Sequence, residues 1–592
     1  MNRKQRRAAA KQDRRVGAGI SSGVPTMSGA VPPGVGDPFV AALRLHRSGQ
    51  LPEAEAAYRR ILAEQPRHAD ALHALGVLLH QGQRHTEAVA LITQALELIP
   101  DYAEAHNNLG DVHRCLGNMD AAVASFRQAI QCRPEFSEAH SNLGGMLHEM
   151  GQHDEAEAAY REALCIMPDY AEAHFNLGNL LRDLHRDDAA EAAYREALRL
   201  QPGYAGAYNN LGGLLMSRLR HAEAETAYRA ALRLRPQDAK THYNLGTLLK
   251  SLHRLAEAEA ALREALRLDP ASMEAMQNLG LLLLARGDFL AGWPLYERTF
   301  HAPERQKDPL LADLTMPRWQ GEDLTGCSLL ILGEQGLGDE IQFCRYVPLL
   351  KERGVRHLTL VCKEPLVGLF STLPGVGWVG TPDQWLTRQK SVPTDDYWSF
   401  LLALPLYCGT TLTTIPAGLP YLFPQPERVI AWAARLPAGK RRVGLVWRGH
   451  ADHKNDRHRS LPDLISLAPL WSLPDVTWIS LQTGANVDVP TITPGNLPLL
   501  DLGREIREFA DTAALVFQLD LVISVDTAMV HLCGALGRPC WVMLPFIETD
   551  WRWLEQRSDS PWYPGVLRLF RQESVDDWSG VVQKIVTALR SG

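Results

Sequence analysis

The sequence predicts an α plus α/β protein, an N-terminal α-solenoid followed by paired α/β halves, and three observations carry that prediction. Prolines recur every 34 residues at Pro66, Pro100, Pro134, Pro168, Pro202, Pro236 and Pro270. Leu-Gly pairs keep the same frame, from Leu75-Gly76 to Leu279-Gly280. After Phe300 the period stops, and short apolar runs alternate with helical ones, as in parallel βαβ architecture.

The totals set bounds. A chain of 592 residues is too long for one core. Its 46% hydrophobic and 22% charged residues are ordinary for a globular protein. A net charge of -7 offers no global attraction for nucleic acid, so none is expected as a partner. Nine cysteines from Cys115 to Cys540 include no Cys-x-x-Cys pair, which argues against a disulfide framework and for the cytoplasm. No apolar run is long enough to span a bilayer, and the N-terminus lacks an apolar secretory core. Residues 1–36 read as a disordered basic tail, with seven Lys or Arg against one Asp in the first fifteen positions. The tail is either simply solvated or makes peripheral contact with an anionic partner such as the inner membrane.

Residues 37–306 hold eight units, beginning at about Val35, Ala69, Ala103, Ser137, Ala171, Ala205, Ala239 and Met273, the first and last degenerate. Each unit needs two helices. Small residues such as Gly76, Ala88 and Ala95 let those helices approach, residues such as Tyr160, Tyr194 and Tyr228 fill the remaining space, and the proline ends the second helix. Iterated in this way, the pattern resembles the tetratricopeptide repeat, which implies a right-handed superhelix with a concave groove. The sixth position of each first helix is Asn108, Asn142, Asn176, Asn210, Asn244 and Asn278. An amide ladder of this kind can hold the backbone of an extended protein or peptide, or it can bond neighbouring helices. It is similar to the repeats of the protein O-linked N-acetylglucosamine transferases.

A connector over 307–325 leads to two α/β halves, 326–425 and 440–592. In the first, Cys327–Leu332 reads as a strand, 333–338 as a tight loop and Asp339–Arg353 as a helix. The glycines follow Gly-x-x-Gly-x-Gly, and no acid of the dinucleotide-binding kind follows the strand His357–Cys362, which argues against a nicotinamide enzyme. In the second half, strands are expected at 443–447, 476–481, 521–525 and 540–544, with helices at 506–518 and 527–536.

The run FADTAALVFQLDLVISVDTAMVHLCGALGRPCWVMLP, with Asp526, Thr527, His531, Ala535, Leu536, Gly537 and Pro539, resembles the signature of the heptosyltransferase-related (glycosyltransferase family 9-like) enzymes. Gly338-Asp339 matches the same family's Gly-Asp pair. The likeness covers about 270 residues, and the closer likeness is to the bacterial subset that fuses tetratricopeptide repeats to this domain, where the RWQGEDL, NDRHRSLP and DWRWLEQRSDSPWYP stretches also have counterparts. It implies a GT-B-like pair of Rossmann-like halves, and a metal-independent inverting transfer from a nucleotide-diphosphate sugar to an acceptor recruited by the repeats. That acceptor is a protein or belongs to glycan assembly. No cofactor and no metal are implied. Three departures leave the donor open: Ala528 stands where glycine is frequent, Arg459 replaces a lysine, and Gln482 stands near the place of an expected acid.

By this resemblance Asp339 is the catalytic base; its alternative is a helix cap. Gly338, Arg448, Arg459, Ser460, Asp526, Thr527 and His531 belong to donor binding. For Asp526 the alternative is again a cap, and for His531 it is core packing. Lys454 and Arg457 add cationic charge to the loop that holds Arg448 and Arg459. His450, His453 and His458 share that loop without the ligand spacing of a metal site. Trp551, Trp553, Trp562 and Tyr563 either stack on a ligand or pack the core. The rival to an enzyme is a repeat scaffold carrying a catalytically inactive transferase-like domain.

Overall fold

The computed structural model describes residues 37–299, 309–312, 314–390, 395–450, 453, 455–483 and 499–591. The expected tail and part of the connector lie outside them. The chain divides into two compact units, Met1–Leu248 and Leu249–Gly592, with the boundary ahead of the 307–325 connector.

The first unit is a series of antiparallel helix pairs: α1 (Pro38–Arg47), α2 (Leu51–Glu64), α3 (Ala69–Gln81), α4 (His85–Leu98), α5 (Ala103–Cys115), α6 (Met119–Cys132), α7 (Ser137–Glu149), α8 (His153–Ile166), α9 (Ala171–Asp183), α10 (Asp187–Leu200), α11 (Ala205–Ser217) and α12 (His221–Leu234). The helix α13 (Ala239–Ser251) contains the boundary.

Glycine sets the spacing within each pair. A Cβ on Gly110 would stand 2.5 Å from the Phe126 ring, one on Gly144 2.9 Å from Tyr160, and one on Gly178 2.7 Å from Tyr194. The large ring of the second helix thus lies on the bare backbone of the first, and Ala122, Ala129, Ala156 and Ala163 are fully buried. The prolines have a second use beyond ending helices. The carbonyls of Pro100, Pro134, Pro168 and Pro236 accept from Nε2 of His106, His140, His174 and His242, each at 2.9 Å, which ties the turn to the next helix.

The second unit begins with helices α14 (Leu255–Leu268), α15 (Met273–Ala285) and α16 (Phe289–Arg298). Two wholly parallel sheets follow. The first has the order β3 (Trp378–Gly380), β2 (His357–Val361), β1 (Ser328–Leu332), β4 (Tyr397–Phe400). The second has the order β10 (Leu567–Arg571), β9 (Cys540–Leu544), β8 (Leu521–Val525), β5 (Arg441–Val446), β6 (Val476–Ser480), β7 (Leu499–Asp501). Read from β7, this is the doubly wound order 3-2-1-4-5-6. The β1, β2, β5, β8 and β9 strands are apolar runs buried along most of their length, as strands covered on both faces must be.

One expected helix is broken. In place of a continuous segment from Asp339 to Arg353 the chain forms α17 (Leu337–Phe343) and α18 (Tyr346–Glu352). Pro348 has no N–H and its ring clashes with the carbonyl of Cys344, which interrupts the helix there. Arg345, at the break, turns inward and donates to the carbonyls of Gln342 (2.8 Å) and Trp562 (2.6 Å). Further helices are α19 (Glu364–Phe370), α20 (Pro382–Arg388), α21 (Pro426–Ala433), α22 (Phe509–Val516), α23 (Ala528–Ala535) and α24 (Trp578–Ser591). The α16 residues Phe289, Trp293 and Tyr296 belong to the same buried cluster as β1, α17 and Trp562.

Candidate functional site

In a doubly wound sheet a ligand crevice opens at the carboxyl ends of the two strands where the order reverses. In the first sheet these are β1 and β4, in the second β5 and β8. The carboxyl end of β1 leads through Gly333–Gly336 into α17, which carries Asp339. The carboxyl end of β5 leads to Trp447 and Arg448, and that of β8 to Asp526 and Thr527. Helices α17 and α23 meet: a Cβ on Gly338 would stand 2.9 Å from Cδ2 of His531 and 3.3 Å from Cα of Ala528. The loop bearing Asp339 and the helix after Thr527 therefore face each other directly.

Asp339 is held at both oxygens. Oδ2 accepts the N–H of Gly336 at 2.7 Å: Gly336 is the N-cap, and Asp339, the third residue of the helix, reaches back to it instead of being the cap itself. Oδ1 accepts from Nη2 of Arg552. That guanidinium also donates through Nη1 to both carboxylate oxygens of Asp550, at 3.0 and 2.8 Å, and through Nε to Gln342. Burial opposes charge on Arg552, but Asp550 and Asp339 keep it protonated. The loop before α17 is constrained too. Gln335 has φ 59°, in the left-handed region, and its side chain exchanges hydrogen bonds with the Tyr296 hydroxyl at 3.1 and 3.3 Å.

Asp526 does not cap α23. Thr527 occupies the N-cap in extended conformation and makes no side-chain capping bond. The Asp526 carboxyl is pushed up to about 7, first by burial and then by the nearby charge of Asp550. His531 is buried, stacks on Trp553 (5.4 Å, 19°) and bonds through Nδ1 to the Tyr563 hydroxyl at 3.0 Å. Burial, with Arg552 and Arg345, lowers it well below the usual histidine range, so it is neutral. A neutral ring cannot supply cationic charge to a phosphate, and here it forms the contact surface between the two helices.

The loop after β5 is closed at its base. Gln482 Oε1 accepts the N–H groups of Trp447 (3.2 Å) and Arg448 (3.0 Å), so the residue near the expected acid's place clasps the strand exit instead. The Arg448 guanidinium donates to the carbonyls of Leu461 and Pro462. Buried Ser460 accepts from Gly449 N–H at 2.8 Å and donates to Asp456 at 2.7 Å. Arg459 lies against Gly449, pairs with Asp456 at 3.5 Å and acts electrostatically on Asp526. His453, lowered mainly by burial, feels Asp550 and Asp339. Lys454 lies outside the described residues. Among the described residues, no three His, Cys, Asp or Glu side chains form a metal-holding group, and no helix is long and apolar enough to cross a membrane.

The aromatic cluster packs the core. Trp553, Trp562 and Tyr563 are fully buried, and Trp551 meets Trp293 edge-on at 5.3 Å. The ladder asparagines are half-buried, and several bond the preceding repeat. Asn108 contacts His73 at 2.8 Å, while Asn142 donates to Asn107 (3.0 Å), Asn210 to Asn179 (2.7 Å) and Asn244 to Asn209 (2.9 Å). Each of these amides keeps further hydrogen-bonding capacity. Asn176 and Asn278 are half-buried at the equivalent places on α9 and α15.

Comparison with known proteins bears on the repeats. Residues 67–135, 135–202, 175–239 and 239–272 match family models described as tetratricopeptide repeats. Over 335 residues, 52% of this chain, the sequence is 30% identical to Protein FlbA of Caulobacter vibrioides, and the match spans 53% of that relative's length. Among solved structures the chain is similar to Pseudomonas aeruginosa pilF, at 23% identity, covering 35% of this chain and 95% of that one, with a TM-score of 0.33. It is also similar to MamA, at 24% identity, covering 27% and 95%, with a TM-score of 0.26. The N-terminal part of this chain is an array of tetratricopeptide repeats.

Proposed function

We propose that the two sheets of the second unit pair as a GT-B glycosyltransferase, transferring a sugar from a nucleotide diphosphate with inversion and without metal. The repeats would recruit the acceptor, a protein or a component of glycan assembly. The observation that carries the reading is the close approach of Gly338 to His531 and Ala528, which sets Asp339 opposite the start of α23.

In this reading the departing diphosphate lies at the amino end of α23, where free N–H groups and the helix dipole favour anions, with Arg459 adding positive charge. Asp339 accepts the proton of the acceptor hydroxyl as that oxygen attacks the anomeric carbon from the opposite face. The hydroxyl becomes acidic as the new bond forms, so a positioned carboxylate can take its proton. Asp526, readily protonated near neutral pH, can donate a hydrogen bond to the donor. Half-buried asparagines along the repeats would hold an extended acceptor segment by its backbone, since stacked repeats present elongated concave surfaces.

One observation favours the second reading, a scaffold with an inactive domain: both oxygens of Asp339 already have partners, Gly336 and Arg552. The test is turnover with a panel of nucleotide sugars, comparing the wild type with Asp339→Asn. Loss of turnover with retained donor binding supports the enzyme, while no turnover by the wild type with any donor supports the scaffold.

A further inference from the structure

We propose that Arg552 is a positioning residue for this transfer, fixing the Asp339 carboxylate through an aromatic brace that starts in the last repeat. The inference rests on the transferase reading above.

Arg552 belongs to a short arm, Asp550–Trp553, between β9 and β10. Its side chain is 7% exposed, and every part of the guanidinium has an oriented partner: Gln342 at Nε, Asp550 at Nη1 and Asp339 at Nη2. With Gly336 N–H on the other oxygen, the Asp339 carboxylate is fixed in rotation, and each carboxylate oxygen can accept a further hydrogen bond. A planar guanidinium can fix direction in this way, whereas an ammonium acts as a point charge.

The arm is braced on both sides. Trp551 lies over the guanidinium at 4.6 Å, and Phe343 of α17 lies 5.6 Å from it. Trp551 in turn packs edge-on against Trp293 of α16 at 5.3 Å and against Trp562 at 6.0 Å. On the other side of Arg552, Trp553 stacks on His531. The last repeat therefore supports the residue that orients the base. Besides Asp550, His453, Glu340 and Tyr296, the groups acting on this carboxylate or its partner include Asp526, His531 and Tyr563.

The experiment uses the full chain and a donor found active in the panel. Rates are measured at one pH for the wild type, Arg552→Met, Arg552→Lys, Asp339→Asn and Asp339→Asn/Arg552→Met, each checked by thermal unfolding. Arg552→Met keeps an apolar stem on Trp551. It is expected to lower kcat by about 30-fold or more and to change donor KM by less than about 3-fold. Arg552→Lys keeps the charge, so it should recover part of kcat. In the Asp339→Asn background Arg552→Met should cost nothing further.

A folded Arg552→Met with wild-type kcat, or one that costs as much in the Asp339→Asn background as in the wild type, overturns the positioning role while leaving the transferase reading intact. If Arg552→Met does not fold, Arg552→Lys decides: wild-type kcat overturns the role, and a lower kcat at unchanged KM and melting temperature supports it. A wild type without turnover on any donor overturns the reading and the inference together.

Discussion

Gly338 and His531 touch across the two sheets of the second unit, so closely that a Cβ on the glycine would stand 2.9 Å from the imidazole Cδ2. The histidine cannot retreat, because it is stacked on Trp553 and bonded to Tyr563. Gly338→Ala is therefore expected to destabilise this unit by about 1–3 kcal/mol through overpacking. Because it shifts α17 against α23, it should also reduce transfer by on the order of 10²-fold. Thermal unfolding and steady-state rates check both, and an alanine variant with wild-type stability would show that the two helices are not in contact.

Asp526 gives a pH-dependent prediction. Burial pushes this carboxyl up to about 7, from 3.8 for a free aspartate, so the native state binds this proton more tightly than the unfolded chain does. The stability contributed by the protonated carboxyl is complete below the unfolded value and is lost as pH rises through about 7. Asp526→Asn should therefore flatten the stability profile between weakly acid and neutral pH. Above neutrality it should be more stable than the wild type, by roughly 1–3 kcal/mol. Denaturant titrations across that range test the sign, and an unchanged profile contradicts it.

The repeats supply an independent test. Tyr160 is buried against Gly144, and Tyr160→Ala should cost about 3–5 kcal/mol in chemical unfolding. Asn142→Ala removes one bond, to Asn107, and should cost only about 1 kcal/mol. If the ladder also holds acceptor, Asn142→Ala combined with Asn176→Ala must weaken acceptor binding well beyond that stability loss. Equal acceptor affinity in the double variant would assign the asparagines to inter-repeat bonding alone.

The repeat helices were legible because one pattern is written many times. The first helices from Ala69 onward begin where the 34-residue frame places them, and the Gly-to-ring contact recurs at Gly110, Gly144, Gly178 and Gly212. In the second unit the strands with long apolar runs could be read, but β3, β4 and β7, of three or four residues, are too short to give a period. The helix break at Cys344 was readable from Pro348 alone. Arg552 was not legible. Its pairing with Asp339 joins residues 213 positions apart, and an arginine between tryptophans carries no local mark of that contact. Likewise Gln482 could be seen to differ from an acid, while its clasp on Trp447 and Arg448 exists only in the folded chain.

The central claim, that Asp339 acts as base in a cleft facing α23, is tested most directly by turnover of a nucleotide-sugar panel by the wild type and by Asp339→Asn, with donor binding measured in parallel. The account predicts that the variant binds the same donor with similar affinity while kcat falls by about 10²–10⁴-fold. Equal turnover by the two proteins, or none by either with any donor, would contradict it.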